Sequence, residues 1–198
     1  MESSNVFTAP PSIPAPVWAL RSANGSSNVQ EGGSGWSLSS DGVRRFSLQS
    51  RVEKPSEPAS GRKPVSILLV EDNAADAGLV REALEEHEIE GEVVVLTDGE
   101  EAIQFIQGLE SQPATCPNLF IVDLSLPKKP GREVLKCIRL SEKCRQAPVV
   151  VLTSSDAQED KDDAMRLGIG RYIRKPSHLE EFISLGAIFK AMLGSSAQ

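Results

Sequence analysis

The sequence has few of the features that mark secreted, membrane-spanning or metal-cluster proteins. Its 198 residues include three cysteines, an odd number without the spacing of metal ligands. We therefore expect Cys116, Cys137 and Cys144 to be reduced thiols. No apolar run approaches the ~18 residues of a membrane-spanning helix, and the N-terminus lacks a basic start followed by an apolar stretch. These absences predict a soluble, cytoplasmic protein.

The chain divides into two parts of different composition. Residues 1–64 contain 14 Ser, 7 Pro and 6 Gly, with 7 basic and 5 acidic residues. Residues 65–198 carry 14 basic and 23 acidic residues, which is a net charge of −9. We interpret residues 1–64 as a disordered extension, residues 65–194 as the folded domain and residues 195–198 as a C-terminal tail. The acidic folded part argues against nucleic-acid binding, because Lys and Arg neutralise phosphate backbones.

Five short apolar runs alternate with helical patterns in the folded part. The runs are rich in β-branched residues and lack polar alternation, which is typical of strands covered on both faces of a parallel sheet. The strands are predicted at 67–70, 93–96, 119–122, 149–152 and 172–173, and the helices at 74–88, 100–109, 131–141, 156–167 and 178–193. This alternation predicts a doubly wound α/β fold with five parallel strands and five helices.

Polar side chains follow four of these strands, at the edge where open α/β sheets bind ligands. Glu71 and Asp72 follow the first predicted strand, and Asp123 follows the third. Thr153 comes after the fourth strand and Lys175 after the fifth. Three carboxylates at one edge would repel each other, whereas Mg²⁺ binds carboxylates and leaves room for phosphate oxygens. A carboxylate beside Mg²⁺ and a lysine can attack phosphorus, so Asp123 is a candidate phosphoryl acceptor.

Taken one at a time, these residues have simpler explanations. Glu71 and Asp72 are suited to the start of the first helix, where acidic side chains are favourable. Thr153 could cap the fourth helix, and Lys175 could be a solvated surface side chain. Taken together, these explanations leave clustered carboxylates without a counterion, and at least one of them would then stay protonated. The joint pattern favours a cation-dependent site.

Four ordered motifs resemble those of response-regulator receiver domains. They are ILLVEDN at 67–73, VDLSLPKKPG at 122–131, VVVLTSS at 149–155 and YIRKP at 172–176. The resemblance implies a flavodoxin-like receiver fold with strand order 2-1-3-4-5. The segments 123–135 and 179–182 further resemble single-domain receivers that partner bacterial phytochrome-type histidine kinases.

The resemblance implies a divalent metal site. Glu71 and Asp72 match the acidic pair that holds Mg²⁺ or Mn²⁺ in the family. Asp123 would be a further ligand, and Ser125 would contribute its backbone carbonyl. The acidic pair is Glu-Asp rather than Asp-Asp, which is an accepted variant in the family.

The resemblance also implies how a phosphoryl group would be held and sensed. Asp123 would accept it, and Thr153 and Lys175 would contact its oxygens. Thr153 and Tyr172 would form the switch that couples phosphorylation to the surface of the fourth helix, fifth strand and fifth helix. Pro127 would shape the loop that follows the acceptor.

The implied function is that of a single-domain response regulator in a two-component system or phosphorelay, rather than an enzyme acting on separate substrates. The implied partners are a sensor histidine kinase, of phytochrome type in the related subgroup, a histidine phosphotransfer protein, and a second copy of the chain bound through the switch surface. Because no folded segment is expected after residue 193, we expect output through partner binding without a DNA-binding domain.

Two other function classes stay open. A phosphorylation-independent adaptor would use the same fold only for binding. A metal-dependent hydrolase on a similar sheet usually has an acidic residue two positions after its nucleophile, where this sequence has Ser125. A dinucleotide-binding domain is excluded, since no G-x-G-x-x-G follows the first predicted strand.

Overall fold

The computed structural model of the chain describes residues 36–38, 44–48 and 65–194. The strands are β1 (Trp36–Leu38), β2 (Arg44–Leu48), β3 (Val65–Val70), β4 (Gly91–Leu96), β5 (Leu119–Val122), β6 (Val149–Thr153) and β7 (Arg171–Arg174). The helices are α1 (Ala74–Glu86), α2 (Gly99–Ser111), α3 (Gly131–Leu140), α4 (Gln158–Arg166) and α5 (Leu179–Gly194). The predicted tail at 195–198 lies outside the described residues.

The parallel strands form one sheet in the order β4-β3-β5-β6-β7. Counted along the parallel part alone, this order is 2-1-3-4-5, so the predicted five-stranded, doubly wound sheet is confirmed. Ile67 at the centre of the sheet pairs with Val93 on one side and Leu119 on the other. The strand order reverses between β3 and β5, and the ligand-binding crevice of such sheets lies at this reversal.

Two apolar layers cover the two faces of the sheet. Leu68 and Val70 of β3 pack with buried residues of α2, α3 and α4. Ile67 and Leu69 pack with buried residues of α1 and α5. Because successive side chains of a strand point to opposite faces, the continuous apolar runs supply both layers at once. Within residues 65–194, the helices are too short or too polar to span a bilayer.

The N-terminal segment adds two strands to the sheet, which corrects one expectation. β2 pairs antiparallel with β4, and β1 pairs antiparallel with β2. The prediction of disorder throughout residues 1–64 is therefore wrong at 36–38 and 44–48, and the rest of the segment lies outside the described residues. The edge strand β4 presents unpaired backbone groups, and a short extended segment satisfies them through its main chain. The average composition of residues 1–64 does not predict strands as short as β1 and β2.

A disulfide joins Cys116 to Cys144, so the expectation of three reduced thiols is also wrong. The two residues are 28 positions apart, yet they precede the adjacent strands β5 and β6, and their Cα atoms are 5.4 Å apart. Adjacent parallel strands bring the segments before them together, which is a tertiary effect that the spacing of cysteines does not encode. Cys137 is the free thiol of the folded part, and burial raises the pKa of its thiol.

Candidate functional site

The carboxyl ends of the central strands hold the candidate site. Glu71 directly follows β3, Asp123 follows β5, Thr153 ends β6, and Lys175 lies just past β7. Backbone hydrogen bonds continue past the strands here, since the Asp123 N–H donates to the Val70 carbonyl (3.0 Å) and the Lys175 N–H to the Thr153 carbonyl (2.8 Å). The sequence prediction that these four residues share one edge is thus confirmed, and rigid backbone positions all four.

Lys175 is the centre of the site. Its Nζ lies 2.7 Å from Oε2 of Glu71, 2.7 Å from Oδ2 of Asp123 and 2.8 Å from Oδ2 of Asp76. The side chains of Lys175, Glu71 and Asp123 are 8%, 1% and 5% exposed, so these charges meet away from bulk water. Buried ions of this kind are retained only when they are paired and hydrogen-bonded. Lys175 is therefore the internal counterion of the carboxylate cluster.

The two buried carboxylates differ in their protonation. Burial raises the pKa of Glu71 to about 7, even though Lys175 and the Asn73 N–H stabilise its anion. Burial also opposes ionisation of Asp123, but hydrogen bonds from Lys175, the Ser125 N–H and Thr153 together hold the pKa of Asp123 below its ordinary value. Without a metal ion, Glu71 is therefore about half-protonated near neutral pH, whereas Asp123 is ionised.

Lys175 itself stays charged. Burial lowers the pKa of an ammonium, but the hydrogen bonds to Asp123, Asp76 and Glu71 outweigh it and raise the pKa of Lys175 above its ordinary value. Opposite charges at hydrogen-bond distance favour the ionised form. The site thus keeps a fixed positive charge beside the candidate acceptor.

Three carboxylates are placed to ligate a divalent cation. Ligand oxygens of Glu71, Asp72 and Asp123 all lie within 4.8 Å of one another. Glu71 and Asp123 are buried, whereas Asp72 is exposed, so the group opens to solvent on one side. Carboxylate oxygens that converge beside open space fit a hard cation such as Mg²⁺ or Mn²⁺, which keeps several waters. Ser125 lies next to this group, and its N–H donates to Oδ1 of Asp123 (3.0 Å).

The loop after Asp123 is held close to the acceptor. The Gly131 N–H donates to the Leu124 carbonyl (3.0 Å), and a Cβ at Gly131 would lie 2.0 Å from the Asp123 carbonyl oxygen. Lys128 has a left-handed backbone (φ 61°), and its Nζ lies 2.6 Å from Oδ2 of Asp98, the N-cap of α2. Burial opposes ionisation of Asp98, but the Lys128 contact outweighs it and lowers the pKa of Asp98. The loop is thereby tied to α2 on one side and to the acceptor on the other.

The predicted switch residues lie on neighbouring strands. Thr153 is fully buried at the end of β6, beside Asp123. Tyr172 is half-buried in β7, and the Nζ of Lys161 in α4 lies 5.9 Å from the centre of its ring. Tyr172 therefore lies on the strand next to that of Thr153 and beside α4.

Sequence reasoning missed Asp76. This residue lies in the first turn of α1, where the Asn73 side chain caps the helix through the N–H groups of Ala75 and Asp76 (2.9 and 3.4 Å). An acid in a first helical turn is common for electrostatic reasons alone, so its type was not informative. Helical spacing gave no further signal, because Asp72 lies before the N-cap Asn73 and so outside the helix that carries Asp76.

The similarity to known proteins lies in the same part of the chain as the candidate site. The family model for the response regulator receiver domain matches residues 67–185. Response regulator Rcp1 of Synechocystis sp. is 40% identical over 123 residues, which are 62% of this chain and 84% of that protein.

Solved structures give the same result. The phosphorylated cyanobacterial phytochrome response regulator RcpA has 34% sequence identity and a TM-score of 0.61, over 69% of this chain and 98% of its own. The Mn²⁺-bound form of response regulator Rcp1 has 38% identity and a TM-score of 0.58, over 65% of this chain and 93% of its own. The family match over residues 67–185 includes Glu71, Asp123, Thr153 and Lys175.

Proposed function

The chain belongs to the response regulator receiver domain family, and from this premise we propose that it accepts a phosphoryl group on Asp123 from a sensor histidine kinase. The observation that carries the proposal is the buried, ionised Asp123 carboxylate, held by Lys175 at 2.7 Å. Low pKa, burial and a fixed orientation are the properties of a carboxylate nucleophile in phosphoryl transfer.

The residues of the chain divide the work of this transfer. An Asp123 carboxylate oxygen bonds to phosphorus while the bond from phosphorus to the imidazole nitrogen of the donor histidine breaks. The electron pair of that bond stays with the imidazole. Lys175 supplies positive charge to the phosphoryl oxygens, and the buried Thr153 hydroxyl donates a hydrogen bond to one of them. Such preorganised charge is the main source of catalysis when the transition state is loose.

The proposed cofactor is Mg²⁺ or Mn²⁺, held by Glu71, Asp72 and Asp123 together with the backbone carbonyl of Ser125. A divalent ion at this place would neutralise phosphoryl charge and align the donor with the acceptor. Its binding would displace the proton from Glu71, because a carboxylate ligates a hard cation in its ionised form. The Mn²⁺-bound form of the similar Rcp1 supports this assignment.

The proposed output is a change in partner binding through the surface of α4, β7 and α5. Thr153 and Tyr172 would couple that surface to the acceptor. The likeness to a cyanobacterial phytochrome response regulator supports a phytochrome-type kinase as the phosphodonor. A histidine phosphotransfer protein and a second phosphorylated copy of the chain are the further partners we propose.

The acceptor is tested by incubating the chain with phosphoramidate and Mg²⁺ and measuring its intact mass. We expect one added phosphoryl group, which is lost at alkaline pH and absent from Asp123→Asn. Asp162→Asn, which changes an exposed aspartate of α4, serves as the matched control and should label like the wild type. Labelling of Asp123→Asn, or full labelling in excess EDTA, would contradict the proposal.

The donor is tested separately by phosphotransfer from purified histidine kinases of the host. We expect one kinase, of phytochrome type, to transfer its label much faster than the others. Equal and slow transfer from all kinases would refute the proposed partner and leave the acceptor assignment unaffected.

A further inference from the structure

All three N–H donors of the Lys175 ammonium are occupied before any phosphoryl group arrives. An ammonium has three donors and no acceptor. Glu71, Asp76 and Asp123 each lie within 2.8 Å of its nitrogen. The positive charge that a phosphoryl group needs is therefore shared among three carboxylates.

Two of the three partners have a second role, and Asp76 does not. Glu71 and Asp123 belong to the carboxylate group that can hold a metal ion, together with Asp72. A divalent ion held by that group would draw negative charge from Glu71 and Asp123 and so weaken their attraction to Lys175. Asp76 stands outside that group and keeps its contact with the ammonium.

Asp76 also differs from the other two partners in its exposure. Its side chain is 23% exposed, whereas those of Glu71 and Asp123 are 1% and 5% exposed. Asp76 is therefore the partner of Lys175 with the most contact with solvent, from which a phosphoryl donor arrives.

We propose that Asp76 is a positioning residue that competes with the phosphoryl group for Lys175 and so slows phosphorylation of Asp123. It keeps one N–H donor and part of the positive charge of Lys175 away from the transferring group. The inference rests on the proposed function, because it concerns the rate of the same transfer.

The decisive variant is Asp76→Asn, in which a neutral amide replaces the carboxylate at nearly the same size. With the full chain, Mg²⁺ and phosphoramidate, we expect the rate constant for labelling to rise roughly tenfold, which corresponds to about 1.4 kcal/mol of barrier. Asp76→Glu restores the charge and should return the rate to within about twofold of the wild type. Glu82→Gln removes one negative charge from an exposed part of the same helix and should leave the rate unchanged.

The route through Lys175 is tested by a double-mutant cycle. In a Lys175→Ala background, Asp76→Asn should change the labelling rate by less than about twofold. The ammonium for which Asp76 and the phosphoryl group compete is absent from that background. A purely structural role for Asp76 would lower the melting temperature without raising the rate.

Two results would overturn the inference: an Asp76→Asn rate equal to or below the wild-type rate, or an equal gain in both backgrounds. If the wild type itself takes no label while its fold is intact, the proposed function fails instead. A folded Asp76→Ser variant gives the same comparison where Asp76→Asn does not fold, because serine is also suited to the start of a helix.

Discussion

Thr153 and Tyr172 are both hydrogen-bonded to the backbone of Ser155, one on each side of its α-carbon. The Thr153 hydroxyl accepts the N–H of Ser155 (3.3 Å), and the Tyr172 hydroxyl donates to its carbonyl (3.2 Å). If the Thr153 hydroxyl turns toward a phosphoryl group on Asp123, its bond to Ser155 is lost. The residue that fixes the tyrosine then moves as well, which is a local mechanism for a two-state element.

This arrangement predicts that Thr153→Ala separates phosphorylation from switching. Tyr172 is the single tyrosine of the chain, so biosynthetic fluorotyrosine gives one fluorine NMR signal. We expect this signal to shift on phosphorylation in the wild type and in Ser154→Ala, which alters the exposed neighbour. In Thr153→Ala the mass should still increase, but the signal should stay in place. A full shift in Thr153→Ala would show that the coupling follows another route.

The protonation of Glu71 predicts a pH dependence of stability in the metal-free protein. The pKa of Glu71 is about 7 in the folded protein, and its ordinary value, which we take for the unfolded chain, is 4.5. Folding is therefore accompanied by uptake of a proton when the pH lies between these two values. The contribution of Glu71 is greatest below pH 4.5 and is lost as the pH rises through about 7, a change of about 3 kcal/mol.

This pH dependence is measured by urea unfolding in EDTA. The unfolding free energies of the wild type and of Glu71→Gln are compared at each pH. As the pH rises from about 5 to about 8, the wild type should lose stability relative to the variant. A pH-independent difference would show that Glu71 ionises normally. The affinity for Mg²⁺ should fall about tenfold per pH unit below the pKa of Glu71, because the ion displaces the proton.

Removing Lys175 should destabilise the metal-free protein and enlarge the effect of Mg²⁺. Lys175→Met leaves clustered carboxylates without their internal counterion, which costs about 3–5 kcal/mol when a buried charge loses its partner. Bound Mg²⁺ should recover part of this loss, so the metal-induced rise in melting temperature should exceed that of the wild type. Lys190→Met, at an exposed lysine of α5, is the matched control. An unchanged metal-free melting temperature would argue that the carboxylates are protonated instead.

Much of the site was predictable because it depends on where strands end. Glu71, Asp123, Thr153 and Lys175 follow apolar runs, and parallel strands bring their ends together whatever the details of packing. The contact of Asp76 with Lys175 spans 99 positions and depends on the angle at which α1 meets the sheet. Periodicity predicts that a helix exists, but not which of its polar side chains reaches a neighbour.

The disulfide and the added strands were not predictable for related reasons. The spacing of Cys116 and Cys144 has no meaning until β5 and β6 are known to be adjacent. The pairing of β2 with β4 is made by backbone groups, which are the same in every sequence. A composition rich in Ser, Pro and Gly therefore does not indicate whether this pairing forms. Both features depend on the assembled sheet and not on a local pattern.

The disulfide predicts a measurable stabilisation. A crosslink between residues 28 positions apart restricts the unfolded chain by about 3–4 kcal/mol. Reduction, or Cys116→Ser, should therefore lower the unfolding free energy by this order, whereas Cys137→Ser should keep the crosslink and most of the stability. Thiol titration of the unfolded, unreduced protein should find one free thiol. Three free thiols in freshly purified protein would contradict the crosslink.

Removing residues 1–62 tests the role of the added strands. Phosphorylation of Asp123 should continue within about twofold of the full-length rate, because β2 pairs with the outer edge of β4 and not with the site. The truncated chain should associate more readily with itself, since β4 becomes an open edge. Sedimentation at rising concentration measures this, and Glu92→Lys in the truncated chain should suppress it by placing a lysine on that edge. If the truncated chain stays monomeric at all concentrations, the unpaired edge of β4 does not promote self-association.

Leu48 and Val65 both pair with Gly91, from opposite sides of β4. Sixteen residues separate them in the chain, so β2 is a tethered ligand of its own domain with an effective concentration on the order of millimolar. The β2 segment of a second molecule must compete with the chain's own β2 for the edge of β4. At protein concentrations well below millimolar, the chain's own segment stays bound. Cutting the chain between the two residues would turn the same contact into a concentration-dependent equilibrium, in which a synthetic peptide of residues 36–48 exchanges freely with the bound segment.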